Sequence, residues 1–184
     1  DKDGDLDLYV NVRFPSTNNH NGFNYLFQNN CNGEFTRITA IPGGLVSEQR
    51  AGPARWFDYD NDGDDDLFIT IRDADNLLYQ NNGDGTFTKI TNLPFLVFDP
   101  DAETQLESNN FIDSDNDGDL DVYVGNQNKF NPFATDERND FIYYRNDGNG
   151  EYTLVTNAIN DSTSNIFDAW GDYDHDGYID LAIT

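Results

Sequence analysis

Apolar residues alternate along this chain with a period of two. Leu8, Val10 and Val12 make one such run, and Leu67, Ile69 and Ile71 another. Tyr25 and Phe27, Leu77 and Tyr79, and Ile142 and Tyr144 repeat the pattern in shorter form. Alternation over four to eight residues is the mark of a half-buried β-strand, and clusters of Gly, Asn and Asp punctuate the runs as turns. No stretch carries a helical stripe, so the chain reads as all-β.

The punctuation itself repeats. Asp58-Tyr-Asp-Asn-Asp-Gly-Asp-Asp-Asp66-Leu recurs as Asp113-Ser-Asp-Asn-Asp-Gly-Asp-Leu-Asp121-Val and as Asp172-Tyr-Asp-His-Asp-Gly-Tyr-Ile-Asp180-Leu. Asp1-Lys-Asp-Gly-Asp-Leu-Asp7-Leu is the same pattern without its first two positions. The motif glycines fall at 4, 63, 118 and 177, spacings of 59, 55 and 59, which identifies an array. A second landmark keeps step: "NNCNGEFTRIT" (29–39), "NNGDGTFTKIT" (81–91) and "NDGNGEYTLVT" (146–156). One strand runs into each Asp motif ("ARWFD", "NNFID", "DAWGD") and a second leaves it ("DLFITI", "DVYVG", "DLAIT"). A third precedes the Asn/Gly turn and a fourth follows it.

Four antiparallel strands per repeat predict β-propeller blades. Residues 1–39 supply a blade lacking its first strand, 53–91 and 109–156 two whole blades, and 166–184 half of another. These make one partial propeller spanning 1–184. Its 13 strands are too few to close a ring, so the chain is expected to be a segment of a longer one or to be completed by a neighbour.

The Asp motifs carry the chemistry. Calcium takes six to eight oxygen ligands from carboxylates and carbonyls, and a glycine at position six permits the sharp turn that gathers them. Asp at positions one, three, five and nine, with the position-seven carbonyl, gives a ligand set in each repeat. In the second these are Asp58, Asp60, Asp62, Asp64 (backbone) and Asp66. The third offers Asp113, Asp115, Asp117, Asp119 (backbone) and Asp121; the fourth Asp172, Asp174, Asp176, Tyr178 (backbone) and Asp180. Asp1, Asp3, Asp5 (backbone) and Asp7 remain of the first. Tyr178 agrees with a backbone role at position seven. An EF-hand is excluded, because its position-twelve Glu would fall on Val10, Ile69, Val124 or Ile183. Magnesium, which demands strict octahedral geometry and gives up water reluctantly, suits such loops less well than Ca2+.

The charge balance follows from these motifs. Lys plus Arg is 10 against 35 Asp plus Glu, a net charge of −25, and 19 of the acids lie in the four motifs. Four divalent ions would bring −25 to −17. So acidic a surface repels nucleic acid and anionic lipid. No apolar run approaches a membrane span. The aromatic share, 14%, argues for a packed core. Cys31 is alone and forms no internal disulfide. No Gly-x-Ser-x-Gly, His-Glu-x-x-His or phosphate-cradling glycine loop occurs, and His20 and His175 are the only histidines, so no enzymatic activity is expected.

"WFDYDNDGDDDLFIT" followed by "NLLYQNNGDGTFTKIT", with "DAWGDYDHDGYIDLAIT", resembles the FG-GAP/VCBS repeat of integrin-α-type propellers, especially the branch in cartilage-acidic-protein-like and ASPIC/UnbV-associated proteins. The resemblance implies a seven- or eight-bladed propeller, calcium between strands one and two, and a secreted or cell-surface setting. Cys31 departs from the pattern by replacing the turn glycine found at Gly83 and Gly148.

Antiparallel order puts the Asp motifs and Asn/Gly turns on one face. The longer connections, 13–22, 40–53, 92–108, 126–140 and 157–165, fall on the other, and Phe14, Arg50, Phe95, Phe98, Phe130 and Phe133 are expected to be exposed there. The expected function is a calcium-stabilised extracellular adhesion module whose loop face binds a protein or glycan. The alternative is a structural subunit of an extracellular fibril or surface assembly pairing with neighbouring protomers; a non-catalytic domain attached to an enzyme ranks below both. Asn160-Asp-Ser162 offers one N-glycosylation sequence.

Overall fold

The computed structural model describes residues 3–11, 24–39, 51–71, 74–96, 104–128, 141–148, 150–155 and 168–183. Among them are thirteen strands in four antiparallel sheets, each following chain order. The first sheet holds β1 (Leu8–Val10), β2 (Tyr25–Asn29) and β3 (Phe35–Ile38). The second holds β4 (Ala51–Phe57), β5 (Asp66–Ile71), β6 (Leu77–Asn81) and β7 (Phe87–Ile90). The third holds β8 (Thr104–Ile112), β9 (Asp121–Asn128), β10 (Phe141–Asn146) and β11 (Tyr152–Leu154). The last pairs β12 (Asp168–Gly171) with β13 (Asp180–Ile183). This is a partial β-propeller. No helix among the described residues is long and apolar enough to cross a membrane.

Every residue of β5 is buried, which a half-exposed sheet would not allow. The strand lies between two neighbouring blades and buries both faces. Leu67, Ile69 and Ile71 join Leu77, Tyr79 and Phe87 in a cluster against Tyr9 and Leu26 of the first sheet. Phe68 points the other way, into a cluster with Phe57, Leu78, Val122 and Val124 that belongs to the junction with the third sheet.

One aromatic device recurs at all three junctions. The residue two places after position nine meets the residue two places before the next Asp motif. Tyr9 meets Trp56 at 6.4 Å and 84°, Phe68 meets Phe111 at 5.4 Å and 78°, and Tyr123 meets Trp170 at 4.8 Å and 78°. All three are edge-to-face, the arrangement the ring quadrupole favours. Phe57 adds a stacked contact with Phe111 at 3.5 Å.

Three strands are longer than the sequence predicts. β4 begins inside the expected 40–53 loop, β8 begins at Thr104 inside 92–108, and β9 runs on to Asn128 inside 126–140. Bulges explain why β4 and β8 break the period of two: the register shifts between Ala51 and Ala54 and between Leu106 and Ser108. The β4 bulge contains Gly52 and Pro53, where proline costs no ladder bond. Its carbonyls serve both neighbours. Asn11 Nδ2 donates to Gly52 O, and Asn109 Nδ2 donates to Pro53 O at 3.2 Å.

Phe95, expected to be exposed, is instead core, with 4% of its surface accessible. It sits on a short 3-10 turn, Pro94–Leu96, and packs against Phe68, Tyr144 and Tyr152. Buried Asn76 holds the turn in place. Its backbone N–H donates to Leu96 O at 2.8 Å and its Nδ2 to Phe95 O at 3.0 Å, while its Oδ1 accepts from Ile71 N–H at 3.0 Å. Phe14, His20, Arg50, Phe98, Phe130, Phe133 and the Asn160 sequence lie outside the described residues.

Candidate metal centre

The second, third and fourth Asp motifs fold into the same loop, and their own carboxylates wind it. The position-one carboxylate accepts from the N–H groups of positions five and six: Asp58 from Asp62 and Gly63 at 3.1 and 2.9 Å, Asp113 from Asp117 and Gly118 at 3.0 and 3.1 Å, Asp172 from Asp176 and Gly177 at 3.1 and 3.0 Å. Position five accepts from position seven at 2.9 Å in Asp62, Asp117 and Asp176, and at 3.2 Å in Asp3. The turn at position six requires positive φ, 87°, 96° and 91° at Gly63, Gly118 and Gly177, a region that side chains seldom enter.

The winding gathers oxygen ligands. Carboxylate oxygens of Asp58, Asp60 and Asp62 lie within 4.8 Å of one another, as do those of Asp113, Asp115 and Asp117. In the fourth loop the gathered triad is Asp172, Asp174 and Asp180. Partial desolvation within the loop, and then the neighbouring aspartates, raise the Asp60 and Asp115 carboxyls above the usual range. A hard-oxygen donor set drawn together at mutual electrostatic cost fits Ca2+. Asp60, Asp62 and their counterparts would hold the ion, with the position-seven carbonyls of Asp64, Asp119 and Tyr178 available beside them. Asp1 lies outside the described residues. In the first loop Asp3 and Asp5 gather with Cys31 instead.

Position nine has a second duty that its spacing does not reveal. Asp66 and Asp121 are fully buried. One oxygen accepts from the position-two N–H: Tyr59 to Asp66 at 2.9 Å, Ser114 to Asp121 at 3.2 Å and Tyr173 to Asp180 at 3.0 Å. The other accepts from the last residue of the third strand: Asn81 to Asp66 at 2.7 Å, Asn146 to Asp121 at 2.8 Å and Asn29 to Asp7 at 2.9 Å. The side chain of the same asparagine donates to the position-eight carbonyl, at 3.2 Å from Asn29 to Leu6, 3.3 Å from Asn81 to Asp65 and 3.3 Å from Asn146 to Leu120. Position nine therefore staples the acidic loop to the Asn/Gly turn of its own blade. Burial pushes the Asp66 carboxyl up to about 7, although its two backbone donors favour the ionised form.

Cys31 takes the left-handed φ of the turn glycines, 56° against 70° and 80° at Gly83 and Gly148. Its N–H donates to Asp5 Oδ2 at 2.7 Å, and hydrogen bonding to that carboxylate pushes the exposed thiol up to about 11. His175 is exposed at position four. Position eight is Leu120 in the third loop, where it packs into the junction with the second sheet. In the second loop it is Asp65, and a cavity of about 540 Å³ lies between the first and second sheets beside it, lined also by Gln28, Trp56 and Phe87.

No curated protein matches the chain. A family model does, twice: the FG-GAP-like repeat matches residues 1–69 and again residues 58–124. The two matches overlap at the second acidic loop and β5, so the element that ends one repeat begins the next. Blade, loop and family model thus mark the same period, and the chain belongs to the FG-GAP-like repeat family.

Proposed function

We propose that this chain is a calcium-stabilised extracellular binding module, its cations held in the loops between first and second strands and its partner, protein or glycan, met by the opposite loop face. One observation carries the cation reading: different loops close three carboxylates to within 4.8 Å by the same backbone bonds. At that distance each pair of like charges repels by about 1 kcal/mol in bulk water, and by several times that near a protein surface. A divalent cation turns this repulsion into attraction. Carboxylates at positions one, three, five and nine with the position-seven carbonyl would supply most of the ion's shell from one loop, which favours a structural over a catalytic role. Family membership supports the extracellular setting, since such repeats are typical of extracellular and surface proteins. Calcium there is abundant enough for sites with Kd of about 10⁻⁴–10⁻³ M.

The test is thermal unfolding in excess EDTA, then with calcium or magnesium restored at millimolar concentration. Chelation is expected to lower Tm by roughly 5–10 °C, since a few kcal/mol shifts a domain of this size by about 2–4 °C per kcal/mol. Calcium restores it and magnesium does so less well. A melt indifferent to EDTA and to added calcium removes the reading.

A further inference from the structure

The residue at position four of the second, third and fourth acidic loops holds no carboxylate for a cation, yet it adopts one rare conformation in all three. Asn61, Asn116 and His175 have φ of 59°, 61° and 63°. Left-handed backbone costs an ordinary side chain roughly 1–2 kcal/mol, and Asn tolerates it best. The conformation aims the side chain out of its own loop and into that of the next blade. Asn61 Nδ2 donates to Asp119 Oδ1, 58 residues on. Asn116 Nδ2 donates to Gly177 O at 2.9 Å, 61 residues on. The acceptors occupy positions seven and six of the receiving loops, on either side of the peptide unit that leads to the position-seven carbonyl. Gly148 leaves room beside Asp119, whose Oδ2 lies 3.2 Å from where a Cβ on that glycine would stand.

We infer that position four is a clip coupling successive cation loops, with Asn61 and Asn116 acting as positioning residues for the loop of the following blade. The inference rests on the cation reading above and adds the relation between sites. Position four lies between two carboxylates of the gathered triad, Asp60 and Asp62 or Asp115 and Asp117. A loop drawn closed on an ion therefore fixes the left-handed residue, and the fixed amide orders the loop it reaches. Linkage makes the effect reciprocal: occupancy of the receiving loop favours closure of the donating one. A single net hydrogen bond sets the scale, so each clip is expected to change affinity in the neighbouring loop about fivefold.

Calcium titration by calorimetry tests this on the chain carrying Asn61→Gly, Asn116→Gly or both. Glycine keeps the positive φ without strain and removes only the amide. Each variant is expected to bind the same number of ions with about fivefold weaker overall affinity and a flatter isotherm. Asp119→Ala removes the acceptor of the first clip while leaving its backbone carbonyl. Combined with Asn61→Gly it should be non-additive in calcium affinity, an effect that a purely structural surface bond would not produce. Isotherms superimposable on wild type, or strict additivity of Asn61→Gly with Asp119→Ala, overturn the clip and leave the cation sites standing. A wild-type chain that takes up no calcium overturns both.

Discussion

At the scale of single residues, carboxylates that look equivalent in the motif divide into two kinds. Asp60 is exposed, gathered with Asp58 and Asp62, and accepts from Gln80 Nε2 at 2.7 Å. Asp66 is fully buried and accepts the backbone N–H groups of Tyr59 and Asn81. Removing Asp66 strands both donors, at about 1–3 kcal/mol each. Asp66→Ala is therefore expected to destabilise the chain by about 2–5 kcal/mol even in EDTA, whereas Asp60→Asn lowers only the calcium-dependent part of Tm. Urea unfolding with and without calcium separates the two; equal losses in EDTA would refute the division. The motif spacing makes the carboxylates legible as a set. It cannot sort them, because the sorting contact is with Asn29, Asn81 or Asn146, at 22, 15 and 25 residues from position nine. No fixed offset exists to be read. Cys31 is clearer: its place in "NNCNGEF" against Gly83 and Gly148 already marks a left-handed turn, and the structure adds the carboxylate beneath it.

At the scale of elements, second and third strands were legible because their apolar residues alternate, and fourth strands because each follows a repeated Asn/Gly turn. The first strands were legible only next to their Asp motifs; where β4 and β8 begin was not, since bulges at 51–54 and 106–108 shift the period and polar "TQLESNN" opens β8. Phe95 fails for a different reason. Flanked by Pro94 and placed between repeats, it reads as loop, and only the bond from Asn76 Nδ2, nineteen residues away, shows why the turn folds inward. It then fills the junction of the second and third sheets together with Phe68, Tyr144 and Tyr152. Phe95→Ala should cost about 3–5 kcal/mol, the range for emptying an aromatic site in a packed core. Phe95→Leu, which leaves most of the volume, should cost less than half of that. The comparison needs only chemical denaturation. A loss below about 1 kcal/mol for Phe95→Ala would mean that the connection belongs to the exposed loop face after all.

At the scale of the whole chain, the acidic loops are an electrostatic burden that neighbouring blades concentrate along one rim. Nineteen of 35 acids lie in the four motifs, and the bond from Asn61 to Asp119 shows that consecutive loops touch. Repulsion between exposed charges is screened over about 10 Å at 0.1 M salt and about 3 Å at 1 M. In EDTA, then, the folded state should gain stability as NaCl rises, because screening relieves the packed carboxylates more than it relieves an expanded chain. With millimolar calcium bound, the charge to be screened is smaller, −17 against −25 for four ions, and competing Na+ brings no benefit. The slope of Tm against log[NaCl] should accordingly be positive under chelation and near zero or negative in calcium. This contrast is informative because hydrophobic junctions respond to NaCl alike in both buffers, so their contribution cancels in the difference. Parallel slopes would show that the rim's charge is not what the cation relieves, whatever the absolute melting temperatures.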